Sequence, residues 1–373
     1  MLNISRVNEG IVSRWWWSID RTMLFGFLVL IAFGILLAMA ATPMVANRIG
    51  IEEFYFLKRH IIYILPSLII IFSVSNMSYR NIKIFCVLLF CAMLLMTYLT
   101  LFAGAEIKGA RRWINLGGGL SIQPSEFVKP ALTILIAWVF SEEKKNPQIR
   151  GKVISTFLWS LSAAVLFLQP DIGMLFVTTA VFGIQLFLNG LPIFFVICAI
   201  GAGICGSVLA YILLPHVAAR VNKFLDPNVG DHYQINRSLE AFSSGGLFGV
   251  GPGEGIVKKH LPDAHADFVF SVLGEEFGFF VCALLVLLIA FIVIRGMIKA
   301  LQKENMFALL ASVGLLAQFG LQSFINMAST LHLIPTKGMT LPLISYGGSS
   351  MLAVSIVVGL ILAFSRNDAS FGE

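Results

Sequence analysis

The 373-residue chain is poor in charge: Asp, Glu, Lys and Arg together make up 12% of it, about half the share in an ordinary soluble domain. With 58% hydrophobic residues and a mean hydropathy of +0.88, that scarcity excludes a water-facing globular surface. The composition is that of a chain immersed in lipid. Cysteine is also sparse. Cys86, Cys91, Cys198, Cys205 and Cys282 each lie inside an apolar run, so their spacing excludes a metal cage or a disulfide framework and leaves packing as the expected role. The sequence has no low-complexity tract and no internal repeat of the inverted-transporter kind. A net charge of +6 with a pI near 9.1 does not indicate nucleic acid, because the basic residues sit in breaks between apolar runs and form no basic face. Anionic lipid is the expected partner.

What is plentiful is long apolar stretches. A helix needs about 20 apolar residues to cross the hydrocarbon layer, since inside lipid each segment must satisfy its own backbone hydrogen bonds. Such windows fall near 22–41, 60–77, 83–103, 125–141, 153–168, 172–189, 191–214, 268–294, 305–329 and 345–365. The expected fold is all-α, a polytopic membrane protein of about ten transmembrane helices forming a single domain over 1–373. The first window is read as a retained span and not a cleaved signal, because a second span follows it. An even number of spans puts both termini on one side. Of the 26 Lys and Arg, thirteen fall on that side, twelve on the other and Lys129 inside a span. The narrow excess favours cytoplasmic termini. Positive charge kept on the outer face against that tendency suggests an anionic ligand there. Trp15, Trp16 and Trp17, just before the first span, have the character of an interfacial anchor.

One polar segment interrupts the pattern between spans seven and eight, a long extracytoplasmic loop over about 215–268, read from His216 to Asp267. Gly245, Gly246, Gly249, Gly251, Gly253 and Gly255 make its middle a place where backbone can approach a ligand closely, or a flexible re-entrant connection. It ends in Leu261-Pro262-Asp263-Ala264-His265-Ala266-Asp267-Phe268, two carboxylates and an imidazole before an apolar helix. Asp267 is placed to cap that helix or to act as a general base at the membrane boundary. Helix amides favour its ionised form and burial disfavours it, and the sequence leaves both roles open.

Ionisable groups inside spans are costly and usually face a bundle interior or a hydrated cavity. Glu275 and Glu276 lie about two turns into the eighth span, where a functional or ion-pairing role is expected. Glu126 and Lys129 have the i,i+3 spacing of an ion pair on one helix face. Asp171, in Gln169-Pro170-Asp171, sits where it would cap the sixth span. Lys337, flanked by Pro335, Gly338 and Pro342, either snorkels to the interface or presents a cation at the mouth of a cavity.

Six motifs in order carry a resemblance. Gly109-Ala110-Arg111-Arg112-Trp113-Ile114, Gln123-Pro124-Ser125-Glu126-Phe127-Val128-Lys129, Gln169-Pro170-Asp171, the glycine-rich loop ending in Ala264-His265-Ala266-Asp267-Phe268, Gly274-Glu275-Glu276, and Ile344-Ser345-Tyr346-Gly347-Gly348-Ser349-Ser350 resemble the SEDS family of bacterial cell-wall polymerases across nearly the whole chain. Pro335-Thr336-Lys337-Gly338-Met339-Thr340-Leu341-Pro342 and Gly251-Pro252-Gly253-Glu254-Gly255 are similar to its division-associated branch more than to its elongation branch. There are departures: Ala266 stands where the family commonly has Thr, Asp263 where it has Glu, and Arg237 where it has Gln.

The resemblance implies a peptidoglycan glycosyltransferase that polymerises lipid II, the undecaprenyl diphosphate-linked disaccharide-peptide, at the outer face of the membrane. It marks Asp267 as catalytic and places Arg111, Arg112, Glu126, Lys129, Asp171, His265, Glu275 and Lys337 around the substrate. Arg111, Arg112 and Lys337 are the expected stabilisers of the departing diphosphate. A divalent cation, Mg or Mn, is left open as a sharer of that charge, since no dedicated ligand pattern is present. A class B penicillin-binding protein and other division proteins are the implied partners. A transporter that moves lipid II without bond chemistry, and a division scaffold, are the competing readings.

Overall fold

The computed structural model describes residues 10–107, 110–117, 120–213, 232–335 and 338–366, with 215, 218, 221, 222 and 224 besides. A short helix α1 (Ile11–Ser18) precedes α2 (Arg21–Ile49), α3 (Tyr55–Ser75) and α4 (Tyr79–Ala103). Strands β1 (Ala105–Ile107), β2 (Ala110–Gly117) and β3 (Leu120–Ile122) follow, then α5 (Pro124–Lys145), α6 (Gly151–Leu168), α7 (Ile172–Leu188) and α8 (Ile193–Leu213). Past the polar segment come α9 (Tyr233–Gly245), a 3-10 turn (Val257–His260), α10 (Val269–Leu301), α11 (Met306–Thr330) and α12 (Gly348–Phe364).

Among the described residues a helix stands at each of the ten expected positions. Seven of these are long and apolar enough to cross a membrane: α2, α3, α4, α6, α8, α10 and α11. Helices α7 and α12 are apolar but shorter. Helix α5 carries Glu126 and Lys129 within its length, which lowers its hydropathy although sixteen of its residues are buried. Local chemistry sets many of the starts. Ser78 Oγ accepts the Asn81 amide ahead of α4, Asn305 Oδ1 accepts those of Phe307 and Ala308 ahead of α11, and Pro124 occupies the first turn of α5, where its missing N–H is not needed.

Burial divides the helices into pillars and periphery. Of the most apolar stretch of α11, 78% is buried, and of α8 none. The pillars α5, α11 and α12 meet in one core with Phe127, Phe140, Leu315, Phe319, Leu360 and Phe364. Between α5, α7 and α11 that core is polar: Gln185 Nε2 donates to the carbonyls of Thr133 at 2.9 Å and Leu310 at 3.1 Å. Such bonds are what hold apolar helices together where lipid gives no hydrophobic drive.

Two expectations about organisation need correcting. The segment between α4 and α5 is a three-stranded antiparallel meander ordered β1-β2-β3, where helices and loops alone were expected. The turn signal is Gly117, at φ 86°, between two short extended runs. The five cysteines are not all packing residues either. Cys86 and Cys282 are buried, but Cys91, Cys198 and Cys205 are exposed, on helix faces directed away from the bundle.

Candidate active site

The turn before α10 is held from three directions. Leu261, Ala264 and Phe268 are buried with Ala41, Val45 and Val272, so the apolar residues of the motif pin it to α2. Asp263 adopts the left-handed region (φ 53°), which Asp tolerates better than most residues. Its carbonyl accepts the amides of Ala266 at 3.0 Å, Asp267 at 3.1 Å and Phe268 at 3.3 Å. The carbonyls of His265, Ala266 and Asp267 are then each taken by another element. The Tyr346 amide donates to His265 O at 2.9 Å, Ser345 Oγ to Ala266 O at 2.5 Å, and Asn326 Nδ2 to Asp267 O at 2.9 Å.

This leaves the Asp267 side chain half-buried on a fully anchored backbone. Gly338, at φ 61°, runs past it so closely that a Cβ there would stand 3.5 Å from Asp267 Oδ2. The N-cap of α10 is Phe268, with no side-chain hydrogen bond of its own. Capping was therefore expected one residue too early: the Asp263 turn delays the helix. The His265 ring stacks on Phe56 of α3, centroids 4.8 Å apart, and stands 5.3 Å from Tyr346.

The glycine-rich loop is packed on helix backbone. Helix α10 breaks at Gly278, whose φ of 75° and ψ of −174° are not helical, so the expected continuous eighth span is two segments. The loop completes the broken ladder. Val250 and Gly251 donate to the carbonyls of Glu275 and Glu276 at 3.0 Å each, and Phe279 and Phe280 donate to Gly246 O at 2.9 Å and Leu247 O at 3.3 Å. Irregular backbone at this depth requires such replacement partners. At Gly249 (φ 82°) a Cβ would come within 2.1 Å of the Glu276 carbonyl oxygen, so this glycine serves approach to the helix and not to a ligand.

Both glutamates are committed to the same loop. Glu275, fully buried, accepts the Val257 amide at 2.7 Å and the Lys258 amide at 2.8 Å, one on each oxygen. Glu276 forms a buried ion pair with Lys258, whose ammonium also donates to Ala40 O at 2.9 Å.

The remaining expected residues fall in two places. Lys129 and Glu126 form the expected pair at 2.8 Å, both buried, and Lys129 Nζ donates to Gln322 Oε1 at 3.0 Å. Gln322 in turn donates to Thr340 O at 3.2 Å, which ties this pair to the segment that passes Asp267. Asp171 does cap α7, accepting the Met174 amide at 3.2 Å. Its other oxygen stands 3.4 Å from Arg112, which also donates to the carbonyls of Gln169 at 3.0 Å and Pro170 at 2.8 Å. Arg112 thus props the turn between α6 and α7. Arg111, on the other face of β2, pairs with Glu106 at 3.3 Å and stays largely exposed. Lys337 lies outside the described residues.

So Asp267, His265, Gly338 and the Ser345-Tyr346 turn come together, with Glu126–Lys129 linked to them through α11. Arg112–Asp171 and Glu275–Glu276 each brace a neighbouring loop. Among the described residues no three His, Cys, Asp or Glu side chains converge to hold a metal ion. Sequence reasoning missed Asn326, Gln322 and Lys258. The signal for the first two was available: Gln318, Gln322 and Asn326 recur every four residues along an apolar span, a polar stripe that a membrane helix turns toward its bundle.

The FTSW_RODA_SPOVE family model, described as "Cell cycle protein", matches residues 21–370. The chain is 40% identical to "Probable peptidoglycan glycosyltransferase FtsW" of Caulobacter vibrioides over 97% of its own length and 93% of that protein's. With the protein of the same name from Escherichia coli O6:H1 it shares 34% identity over 92% of its length and 85% of that protein's. Among solved structures, a chain of "Structural coordination of polymerization and crosslinking by a peptidoglycan synthase complex" superposes with a TM-score of 0.78 at 27% identity, covering 92% of this chain and 97% of that one. The Thermus thermophilus rod shape determining protein RodA superposes with a TM-score of 0.69 at 27% identity, covering 93% and 97%. The ordered motifs and the fold agree with the family match, and the chain belongs to the FtsW/RodA/SpoVE family of cell cycle proteins.

Proposed function

We propose that the protein is a peptidoglycan glycosyltransferase of cell division that polymerises lipid II at the outer face of the bacterial cytoplasmic membrane, with ten spans in one domain and both termini cytoplasmic. The observation that carries the reading is Asp267: a half-exposed carboxylate on a backbone bonded from α11, the Asp263 turn and the Ser345-Tyr346 turn. A general base works only when its oxygen is held within hydrogen-bond reach of the proton it removes.

In the reaction a hydroxyl of an N-acetylglucosamine unit attacks the anomeric carbon of N-acetylmuramic acid in a second lipid-linked chain. The new glycosidic bond forms, the bond to the lipid diphosphate breaks, and the hydroxyl proton passes to Asp267. Cations preorganised where the diphosphate departs stabilise the charge that develops there. Arg111, exposed on β2, and Lys337, bonded in sequence to Gly338, are assigned that role; Arg112 holds the turn between α6 and α7 instead. The relatives' names support the transferase activity, and the solved synthase complex supports a cross-linking partner, a class B penicillin-binding protein.

The test is Asp267→Asn in purified protein supplied with lipid II. Asn preserves size and removes the carboxylate base, so polymer formation should fall by about 10²–10⁴-fold while thermal unfolding in detergent stays that of the wild type. Wild-type-level polymer from the variant would sink the assignment. Wild-type protein that moves labelled lipid II across vesicles without making polymer would establish a transporter.

A further inference from the structure

A second site lies on the face that carries α1 and the last turn of α12. There Tyr79 stacks on Phe364 at 5.4 Å and Trp15 Nε1 donates to Ser75 at 2.7 Å. Between α4 and α5 opens a notch of about 310 Å³, walled by Arg80, Lys83, Ile84, Val87, Leu88 and Trp138. Lys83 Nζ stands 5.3 Å from the Trp138 ring centroid and 3.6 Å from Glu142 Oε1. That carboxylate is already engaged by Trp138 Nε1 at 3.2 Å and by Lys145 at 3.2 Å. Arg80 is exposed, and the rim keeps a positive balance.

From the notch an apolar track runs up α4. Ile84, Leu88, Leu95, Leu99 and Phe102 are all exposed at helical spacing, so they share one outward face. Cations at the membrane boundary, an indole beside them and a lipid-facing track above are together complementary to one kind of molecule. Free phosphate would have no use for the track, and a zwitterionic headgroup would set its own cation against Arg80. We propose that the notch binds an anionic phospholipid, its phosphate between Arg80 and Lys83 and one acyl chain along α4.

Native mass spectrometry of the full chain in detergent tests this, with phosphatidylglycerol and phosphatidylcholine of identical acyl chains as probes. Phosphatidylglycerol should occupy the tightest site in preference, and Arg80→Gln with Lys83→Gln should weaken it about 25-fold, since each juxtamembrane cation adds about a fivefold attraction to anionic lipid. Phosphatidylcholine binding and thermal unfolding should not change. If the double variant folds poorly, Arg80→Gln alone, at an exposed position, should still show a loss of severalfold. The proposal is overturned by equal phosphatidylglycerol binding in the variant, by no headgroup preference in the wild type, by the same loss from Arg14→Gln with Lys152→Gln, or by displacement with millimolar inorganic phosphate.

Discussion

Asn326 on α11 reaches across to the carbonyl of Asp267, with its amide nitrogen at 2.9 Å. The same nitrogen donates to Met339 O at 2.6 Å, so one buried side chain sets the distance between the turn that bears the candidate base and the segment that passes it.

Replacing Asn326 with Ala removes both bonds and leaves two carbonyls without their donor, at roughly 1–3 kcal/mol for each buried group. Lower thermal stability in detergent is expected. The catalytic effect should be larger: a base displaced by about 1 Å loses on the order of 100-fold in rate. Lipid II affinity, measured separately in the Asp267→Asn background, should change little. Equal loss of affinity and turnover would mean that Asn326 contacts substrate and does not position the base.

Glu275→Gln is expected to loosen the glycine-rich loop. The carboxylate accepts two amides, whereas a carboxamide brings an N–H₂ against one of them and so sets donor against donor. Limited proteolysis should cut between Gly251 and His260 at least several times faster than in wild type. Unchanged cleavage would show that the Lys258–Glu276 pair and the backbone bonds hold the loop without the Glu275 carboxylate.

Gly249→Ala should destabilise strongly or block folding, because its Cβ would meet the Glu276 carbonyl at 2.1 Å in a left-handed conformation. Gly183→Ala is the matched control. Nothing lies within 4 Å of its Cβ position inside α7, and a compatible Gly→Ala change adds about 0.4–1 kcal/mol of stability. Opposite shifts in unfolding temperature are the expected readout.

Acid sensitivity should trace to Asp20, at the start of α2. Burial by itself would raise its pKa, but bonds from Lys299, the Met23 amide and Arg295 outweigh that and hold it below its ordinary 3.8. A carboxyl group with a depressed folded-state pKa stabilises at every pH above its unfolded value, and the contribution is lost as pH falls through the folded value. Asn at this position keeps the helix cap without the charge. The difference in unfolding temperature between wild type and Asp20→Asn should therefore be constant from about pH 7 to pH 5 and shrink below about pH 4. A difference that shrinks toward alkaline pH would assign it to other groups.

The ten helices were legible in the sequence because a lipid environment enforces one rule on every span, a long apolar run with its backbone satisfied internally. Pairs set by local spacing were legible too, as Glu126–Lys129 and the Asp171 cap show. The small sheet was not, since its strands of three to eight residues carry too little periodicity to stand out from a loop.

Local pattern also could not show that Asp267 stands one residue ahead of the N-cap of α10. That depended on Asp263 entering the left-handed region, and the hold on the Asp267 carbonyl depended on Asn326, 59 positions away in the chain. The roles of Glu275 and Gly249 were undecidable for the same reason. A carboxylate in a span or a glycine in a loop announces that something must meet it, but which partner does so, here loop amides for Glu275 and helix backbone for Gly249, is settled only when distant segments pack. Composition and spacing therefore determined that this is a membrane protein with a polar motif ending in Asp267, and the tertiary contacts decided which of its charged residues brace the fold.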